Sequence, residues 1–390
     1  MNWDFLIKGK EAMQVTTDSR KVTPGSVFVA LKGEHFDGND FVEQARRDGA
    51  EYIICGENAL QDLQDLARAW RRELGLPILG ITGTNGKTTT KELCAAVLST
   101  KYKLYYTQGN LNNQIGVPLT LLSMTRAHEI AIVEMGASHP GDIKELVDIA
   151  EPNYGLITNV GKAHLQGFGS FEGVMRTKAE LYDFLLAHGG TIFRNADNPY
   201  LEKMLGDLGI LGNLGRLVSY HTGTMPEGTH LVGGYNAENV SAALCVGAYF
   251  GVSEEAALAA IRAYVPSNNR SQLMQTEKNT VVIDAYNANP TSMTAAINAF
   301  KGNCYILGAM RELGEYSHLE HQNIVNMLLE RKADKVLLVG EEYKQTTAPY
   351  PVFDNIEALY AHLQQAPISG CTILLKGSRS NQMEKILPLL

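Results

Sequence analysis

No stretch of this 390-residue chain approaches the roughly 18 uninterrupted apolar residues of a membrane span, so membrane insertion is not expected. Cysteine is scarce: Cys55, Cys94, Cys245, Cys304 and Cys371 are scattered, odd in number and without metal-ligand spacing. That argues against a disulfide framework or a zinc site and fits thiols in a reducing compartment. Positive charge is not in excess either. A net charge of −8 argues against nucleic acid as the main partner, while leaving room for a local basic pocket that holds a phosphorylated small molecule. The first residues, MNWDFLIKGKEA, carry Asp4 and no apolar core, which is unlike a secretory signal, and the expected location is the cytoplasm. Internal repeats and low-complexity segments are missing. What remains, 45% hydrophobic and 19% charged residues, is the composition of a soluble globular protein of two or three domains.

The most informative segment is Gly83-Thr84-Asn85-Gly86-Lys87-Thr88-Thr89, set between the apolar run from Pro77 to Ile81 and a helix expected from Thr89 to Ser99. A Gly-rich turn leaving a buried strand exposes backbone N–H groups, and the helix that follows adds positive potential. Lys87 supplies a mobile charge for the outer phosphates of a nucleotide, and Thr88 a hydroxyl for magnesium. The general phosphate-loop pattern has a glycine where this chain has Ile81, so the match is to a shorter variant.

Alternating strand and helix patterns organise the rest. Residues 1–74 hold short strands, Ser26–Leu31 and Tyr52–Cys55, around a helix over 40–48, and form a small α/β domain. Residues 75–266 repeat strand then helix, with strands at Ile78–Thr82, Lys103–Thr107, Glu129–Met135, Tyr154–Val160 and Gly190–Phe193. The pattern implies a mainly parallel sheet, the central phosphate-loop domain. A reset at Val265-Pro266-Ser267 opens a third, Rossmann-like α/β domain over 267–390, with strands at Val281–Asp284, Cys304–Leu307, Lys335–Val339 and Thr372–Leu375.

Several polar residues stand where chemistry is expected. Glu134 ends the run Ile130-Ala131-Ile132-Val133, the place for a magnesium ligand beside the loop, although an acid at a strand end is by itself a solvated turn residue. His164 follows the next strand and should emerge on the same edge. Lys178 lies in a helix, where its plain reading is an exposed lysine paired with nearby acids. Asn236 and Asn239 open an alanine-rich helix with two amides on one face, able to read an adenine edge or, for one of them, to cap the helix. Asp284-Ala285-Tyr286-Asn287-Ala288-Asn289 leaves a strand at a ligand-facing edge. His318 and His321, three apart without a third ligand, read as a solvated helix face.

Together GTNGKTTT, GNLNNQIGVPLTLL, VEMGASHPGDI, ITNVGKAHLQGFGS, RTKAELY, GGYNAENVSAA, DAYNANPTSM and ELGEYSHLEH resemble the Mur ligases of bacterial cell-wall synthesis. Thr17-Asp18-Ser19-Arg20-Lys21 and the run from Pro24 to Gly33 are similar to the uridine-nucleotide domain of the later-step ligases, and Asn287-Ala288-Asn289-Pro290 favours the final step. The resemblance implies an ATP-dependent amide ligase that activates a UDP-N-acetylmuramoyl tripeptide as an acyl phosphate and couples it to D-alanyl-D-alanine. It further implies two magnesium ions, one on Thr88 and Glu134, the other on His164 and a carbamylated Lys178, with Lys87 on phosphate. Asn236 and Asn239 match adenine contacts, Arg270 and Asp284 phosphate and ribose contacts, and Ser19, Arg20, Lys32, Asn110, Asn112, Tyr286, Asn287 and Asn289 substrate contacts. A monomer is expected.

Two departures from the family pattern stand out. The stretch from Asn198 to Gly233 is short, and Gly308-Ala309-Met310 stands where the family has Gly-Asp-Met, so Ala309 receives no role. The alternatives are a ligase of an earlier step, or a regulatory protein of the same fold that binds nucleotide without ligating.

Overall fold

The apolar runs become strands of three sheets in the computed structural model, which describes residues 2–207, 216–266 and 269–390. The domain start expected at Ser267, and residues 208–215 of the shortened stretch, lie outside the described residues. The first sheet holds β1 (Val15–Thr16), β2 (Val27–Val29) and β3 (Tyr52–Ile54) in that order. The second holds β4 (Ile78–Thr82), β5 (Leu104–Tyr106), β6 (Ile130–Glu134), β7 (Tyr154–Ile157), β8 (Thr191–Asn195) and β9 (Leu217–Tyr220) in the order β5-β6-β4-β7-β8-β9. The third holds β10 (Gln272–Gln275), β11 (Thr280–Asp284), β12 (Cys304–Gly308), β13 (Lys335–Val339), β14 (Val352–Phe353) and β15 (Thr372–Lys376) in the order β10-β11-β15-β12-β13-β14. The class is α/β. Parallel neighbours need crossovers, which helices such as Lys87–Leu98, Asp142–Ala150 and Phe171–His188 supply.

Contacts divide the chain into two units. One is Met1–Gly83, Leu98–Ile157 and Arg176–Ser219; the other is Thr84–Val97, Thr158–Met175 and Tyr220–Leu390. In the first, every residue of β4 and β6 is buried, as a strand covered on both faces requires. Register pairs Ile81 with Glu134 and Thr82 with Ile157, so the C-terminal ends of β4, β6 and β7 lie side by side. Strand order reverses about β4, the place where ligands bind in open α/β sheets. In the second unit, Val281, Ile283, Cys304, Ile306, Ile373 and Leu375 make a core with the helix Ile356–Gln365.

Several elements differ from the sequence expectation, among them β1, β9 and β14, which were not expected. The strand from Tyr154 ends at Ile157, because Thr158 Oγ1 donates to Asn85 O (2.6 Å) and the chain turns into a loop. The helix after the glycine loop starts at Lys87, two residues earlier than expected, which puts Lys87 and Thr88 in its first turn. β10 was absent from the expectation because Gln272 and Gln275 break its apolar pattern; it pairs antiparallel with β11 at the sheet edge.

Candidate active site

The glycine loop is held from behind by the segment that follows β7. Thr84 N–H donates to Asn159 O (2.9 Å), Asn85 N–H to Asn159 Oδ1 (3.0 Å), and Asn159 Nδ2 to Asn85 O (3.1 Å). The first turn of a helix presents N–H groups with no acceptor inside the helix, and here that turn begins at Lys87. Lys87 Nζ folds back onto Thr84 O (3.1 Å), spanning the loop it is expected to serve. Gly83 and Gly86 take φ of 140° and 80°, in the region that favours glycine.

Asn239 explains why Gly86 has no side chain. Its Oδ1 accepts from Thr90 Oγ1 (2.9 Å), and its Nδ2 donates to Asn236 Oδ1 (2.9 Å), while Asn236 Nδ2 donates to Val232 O (2.8 Å). A Cβ on Gly86 would overlap Asn239 Oδ1, an atom fixed from both sides. Neither asparagine caps its helix; the two amides clamp the helix Asn236–Tyr249 to the phosphate-loop helix.

Glu134 is 1% exposed, so the reading of a solvated turn acid does not hold. Its Oε1 accepts from Asn112 Nδ2 (2.8 Å) and its N–H donates to Thr107 Oγ1 (2.9 Å). Asn112, expected at the substrate, thus orients the carboxylate; Asn110 is exposed, its carbonyl accepting from Asn112 N–H (2.8 Å). Lys178 is 2% exposed and shares a buried stripe with Val174, Leu181 and Leu185, which rules out the exposed surface lysine.

His164 has φ 50° and its Nδ1 pairs with Glu312. Arg270 stacks its guanidinium on Tyr286, 3.8 Å from the ring centre. Asp284 Oδ2 meets the buried Lys376 Nζ at 2.6 Å, and Lys376 also donates to Asn287 O (3.1 Å). Asn287 is exposed, its side chain accepting from Ala288 N–H (2.9 Å). Asn289 caps the helix Pro290–Ala299, its Oδ1 accepting from Ser292 N–H (2.9 Å), and its Nδ2 donates to Asn85 Oδ1 (2.8 Å) in the phosphate loop.

Family models match in chain order: the Mur ligase family catalytic domain over 11–96, the Mur ligase middle domain over 81–210, and the Mur ligase glutamate ligase domain over 269–379. UDP-N-acetylmuramoyl-tripeptide--D-alanyl-D-alanine ligase from Bacillus subtilis is 33% identical, covering 96% of this chain and 92% of its own. The chain belongs to the Mur ligase family. The Escherichia coli ligase of the same description is also 33% identical, with the same coverage. The crystal structure of MurF ligase from Thermotoga maritima in complex with ADP superposes with a TM-score of 0.85 at 27% identity, covering 98% of both chains. MurF from Acinetobacter baumannii gives 0.83 at 28%, over 96% of this chain and 92% of that one.

As in other parallel sheets, this Mur ligase presents polar groups beyond the C-terminal strand ends. β1 and β2 are parallel and adjacent, and Ser19 and Arg20 follow one while Lys32 follows the other, so they share an edge. Arg20 grips Asp18 with both arms (2.8 and 2.9 Å) and holds that carboxyl down at about 2. Lys32 Nζ lies 3.4 Å from Asp37. His321 corrects the solvated-face reading. It is fully buried, its Nε2 accepts from Met310 N–H (3.0 Å), Nδ1 meets Ser317 O (2.7 Å), and burial lowers its pKa. Among the described residues no group of three or more His, Cys, Asp or Glu side chains is arranged to hold a metal. Sequence reading missed Asn159, Glu312 and Lys376. Lys376 carried a signal, since it ends the run Thr372-Ile373-Leu374-Leu375 as Glu134 ends its own.

Proposed function

We propose that this chain is an ATP-dependent ligase that joins D-alanyl-D-alanine to a UDP-N-acetylmuramoyl tripeptide in peptidoglycan precursor synthesis. Similarity to ligases of that description over nearly the whole chain carries the reading, and the solved relative that binds ADP supports the nucleotide. The reaction is assigned to the cytoplasm. Residues 1–74 are assigned to the UDP substrate, 75–266 to ATP and 267–390 to completing the ligation site.

A carboxylate is a poor acylating agent, so the tripeptide carboxylate first takes the γ-phosphoryl group, its oxygen bonding to phosphorus as ADP leaves. The dipeptide amine then attacks the acyl carbon, phosphate departs with the carbon–oxygen pair, and the nitrogen gives up a proton. Lys87 leaves Thr84 O for the phosphate oxygens, and the N–H groups at the start of its helix bind them. Asn236 and Asn239 are assigned to adenine, Arg270 and Asp284 to phosphate and ribose, and Ser19, Arg20 and Lys32 to the UDP diphosphate.

Hard oxygen donors suit magnesium, and a threonine hydroxyl and a buried carboxylate are of that kind. Thr88 and Glu134 are assigned to one ion. His164 is assigned to a second, since a metal-bound imidazole characteristically gives its other nitrogen to a carboxylate, as His164 gives Nδ1 to Glu312. Lys178 is assigned to the second ion as a carbamate, because an ammonium would repel the metal that the carbamate oxygens attract. Magnesium, when bound, neutralises crowded phosphate oxygens.

Purified protein with ATP, magnesium, UDP-linked tripeptide and D-alanyl-D-alanine should yield the amide product by mass spectrometry, with one ADP per amide. Equal ADP release with and without the dipeptide, and no new amide, would sink the reading.

A further inference from the structure

Two segments far apart in sequence carry the groups assigned to adenine and phosphate. Asn236 and Asn239 open the helix Asn236–Tyr249, while Arg270 stands in the turn just before β10. A side-chain contact joins the two. The Tyr235 hydroxyl lies 2.8 Å from Ser271 Oγ, and Ser271 is 4% exposed. Tyr235 immediately precedes Asn236 and Ser271 immediately follows Arg270, so the contact ties the start of the amide-bearing helix to the turn that carries the guanidinium.

That turn needs a hold from outside. Asn269 and Ser271 take φ of 55° and 46°, the left-handed region that residues other than glycine rarely adopt, and Arg270 sits between them. Such backbone persists only where the surrounding structure fixes it. From Gln272 onward the β10–β11 ladder holds the chain, pairing Gln272 with Ile283; one residue earlier, Ser271 is held through its side chain by Tyr235. Tyr235 is itself fixed. Gly233 takes φ 94°, and a Cβ there would stand 2.4 Å from Tyr235 Cε1, so the ring fills the space that a side chain at 233 would need. Gly233 O also accepts from Asn236 N–H (3.0 Å), so one glycine sets both the ring and the helix start. Burial, and after it the Asp284 carboxylate, push the Tyr235 phenol above its ordinary value, which keeps it a neutral hydroxyl. Arg270 rests on the Tyr286 ring, 3.8 Å from its centre, and its Nε is buried without a hydrogen-bond partner. A guanidinium N–H left unpaired in the protein is suited to an anion.

We propose that Tyr235 is a positioning residue for ATP. Through Ser271 it holds the left-handed turn that aims Arg270 at phosphate, and so fixes the spacing between the adenine-reading amides and the phosphate-reading cation. This rests on the nucleotide assignments above and extends them to Tyr235 and Ser271, which those assignments leave without a role.

Calorimetric binding of adenosine, and of ATP with magnesium, tests this in wild type, Tyr235→Phe, Ser271→Ala, Arg270→Ala and the double variant Tyr235→Phe/Arg270→Ala. Tyr235→Phe keeps the ring against Gly233 and removes only the hydroxyl, and adenosine binding reports that each variant is folded. Kd for ATP should rise by about 3- to 10-fold in Tyr235→Phe and in Ser271→Ala, the range of one neutral hydrogen bond, whereas Kd for adenosine should match wild type. In the Arg270→Ala background, loss of the hydroxyl should have no further effect, because residues acting through one contact do not add. A merely structural hydroxyl would weaken both ligands alike, or weaken ATP equally with and without Arg270. Either result overturns the proposal, as does wild-type ATP affinity in both single variants. Wild type that binds no ATP would overturn the nucleotide assignments and the proposal with them, whereas wild type that binds ATP without ligating would remove the ligase reading and leave the test of Tyr235 intact.

Discussion

Lys178 is buried on the inner stripe of the helix Phe171–His188, where we propose that it works as a carbamate. A carbamate would turn the amine into an anionic oxygen donor for a hard cation. Lys178→Ala is expected to lower kcat by about 100-fold or more, the size of losing a preorganised stabiliser of developing charge. ATP binding through residues 83–88 should persist, and mass analysis that preserves labile adducts should find an added carboxyl group on this side chain in the wild type. Near-normal turnover of the alanine variant would reduce Lys178 to a packed helix residue and remove the second metal assignment. Gly86 makes the complementary case. It is a glycine because Asn239, pinned between Thr90 and Asn236, occupies the space of a side chain, a constraint that becomes visible only when distant helices are brought together.

Among the elements, the helix Pro290–Ala299 carries two duties at one residue. Asn289 caps it reciprocally with Ser292 and also reaches Asn85 in the phosphate loop. Asn289→Ala should cost about 1 kcal/mol of stability, the usual value of a cap, and lower the ligation rate. Asn289→Ser should keep the cap, so a denaturant midpoint near wild type with a reduced rate would separate the duties; wild-type rates in both variants would contradict the role at the loop. The long buried strands were legible in the sequence because buried parallel strands are continuous apolar runs, as Ile78–Thr82 and Ile130–Glu134 show. β10 was not, since an edge strand tolerates glutamines that erase the pattern. The glycine loop was legible from its local motif, whereas the roles expected of Glu134, His164 and Lys178 came from the family resemblance, the local reading of Lys178 being an exposed lysine that the structure buries. The pairing of Lys376 with Asp284, and of Glu312 with His164, was not legible, because residues so far apart in sequence leave no local trace of their contact, even where one of them, Lys376, stands at a strand end. His321 was misread for the same reason: the Met310 N–H that buries and satisfies it lies outside its own helix.

At the scale of the whole molecule, a chain of net charge −8 places cations at strand ends: Lys32 after β2, Lys87 after β4, and Lys376 and Arg379 at the end of β15. Each lies where a parallel sheet opens to ligand, so the overall acidity of the surface does not oppose the sites. Activation of the tripeptide carboxylate by phosphorylation is the step on which ligation turns, and oxygen tracing follows it atom by atom. UDP-linked tripeptide labelled with ¹⁸O in its terminal carboxylate is turned over with ATP, magnesium and D-alanyl-D-alanine, and the inorganic phosphate is examined by mass spectrometry. One labelled oxygen per phosphate released is the predicted result, because the departing phosphate keeps the carboxylate oxygen that attacked phosphorus. Amide formation with unlabelled phosphate would contradict the acyl-phosphate route.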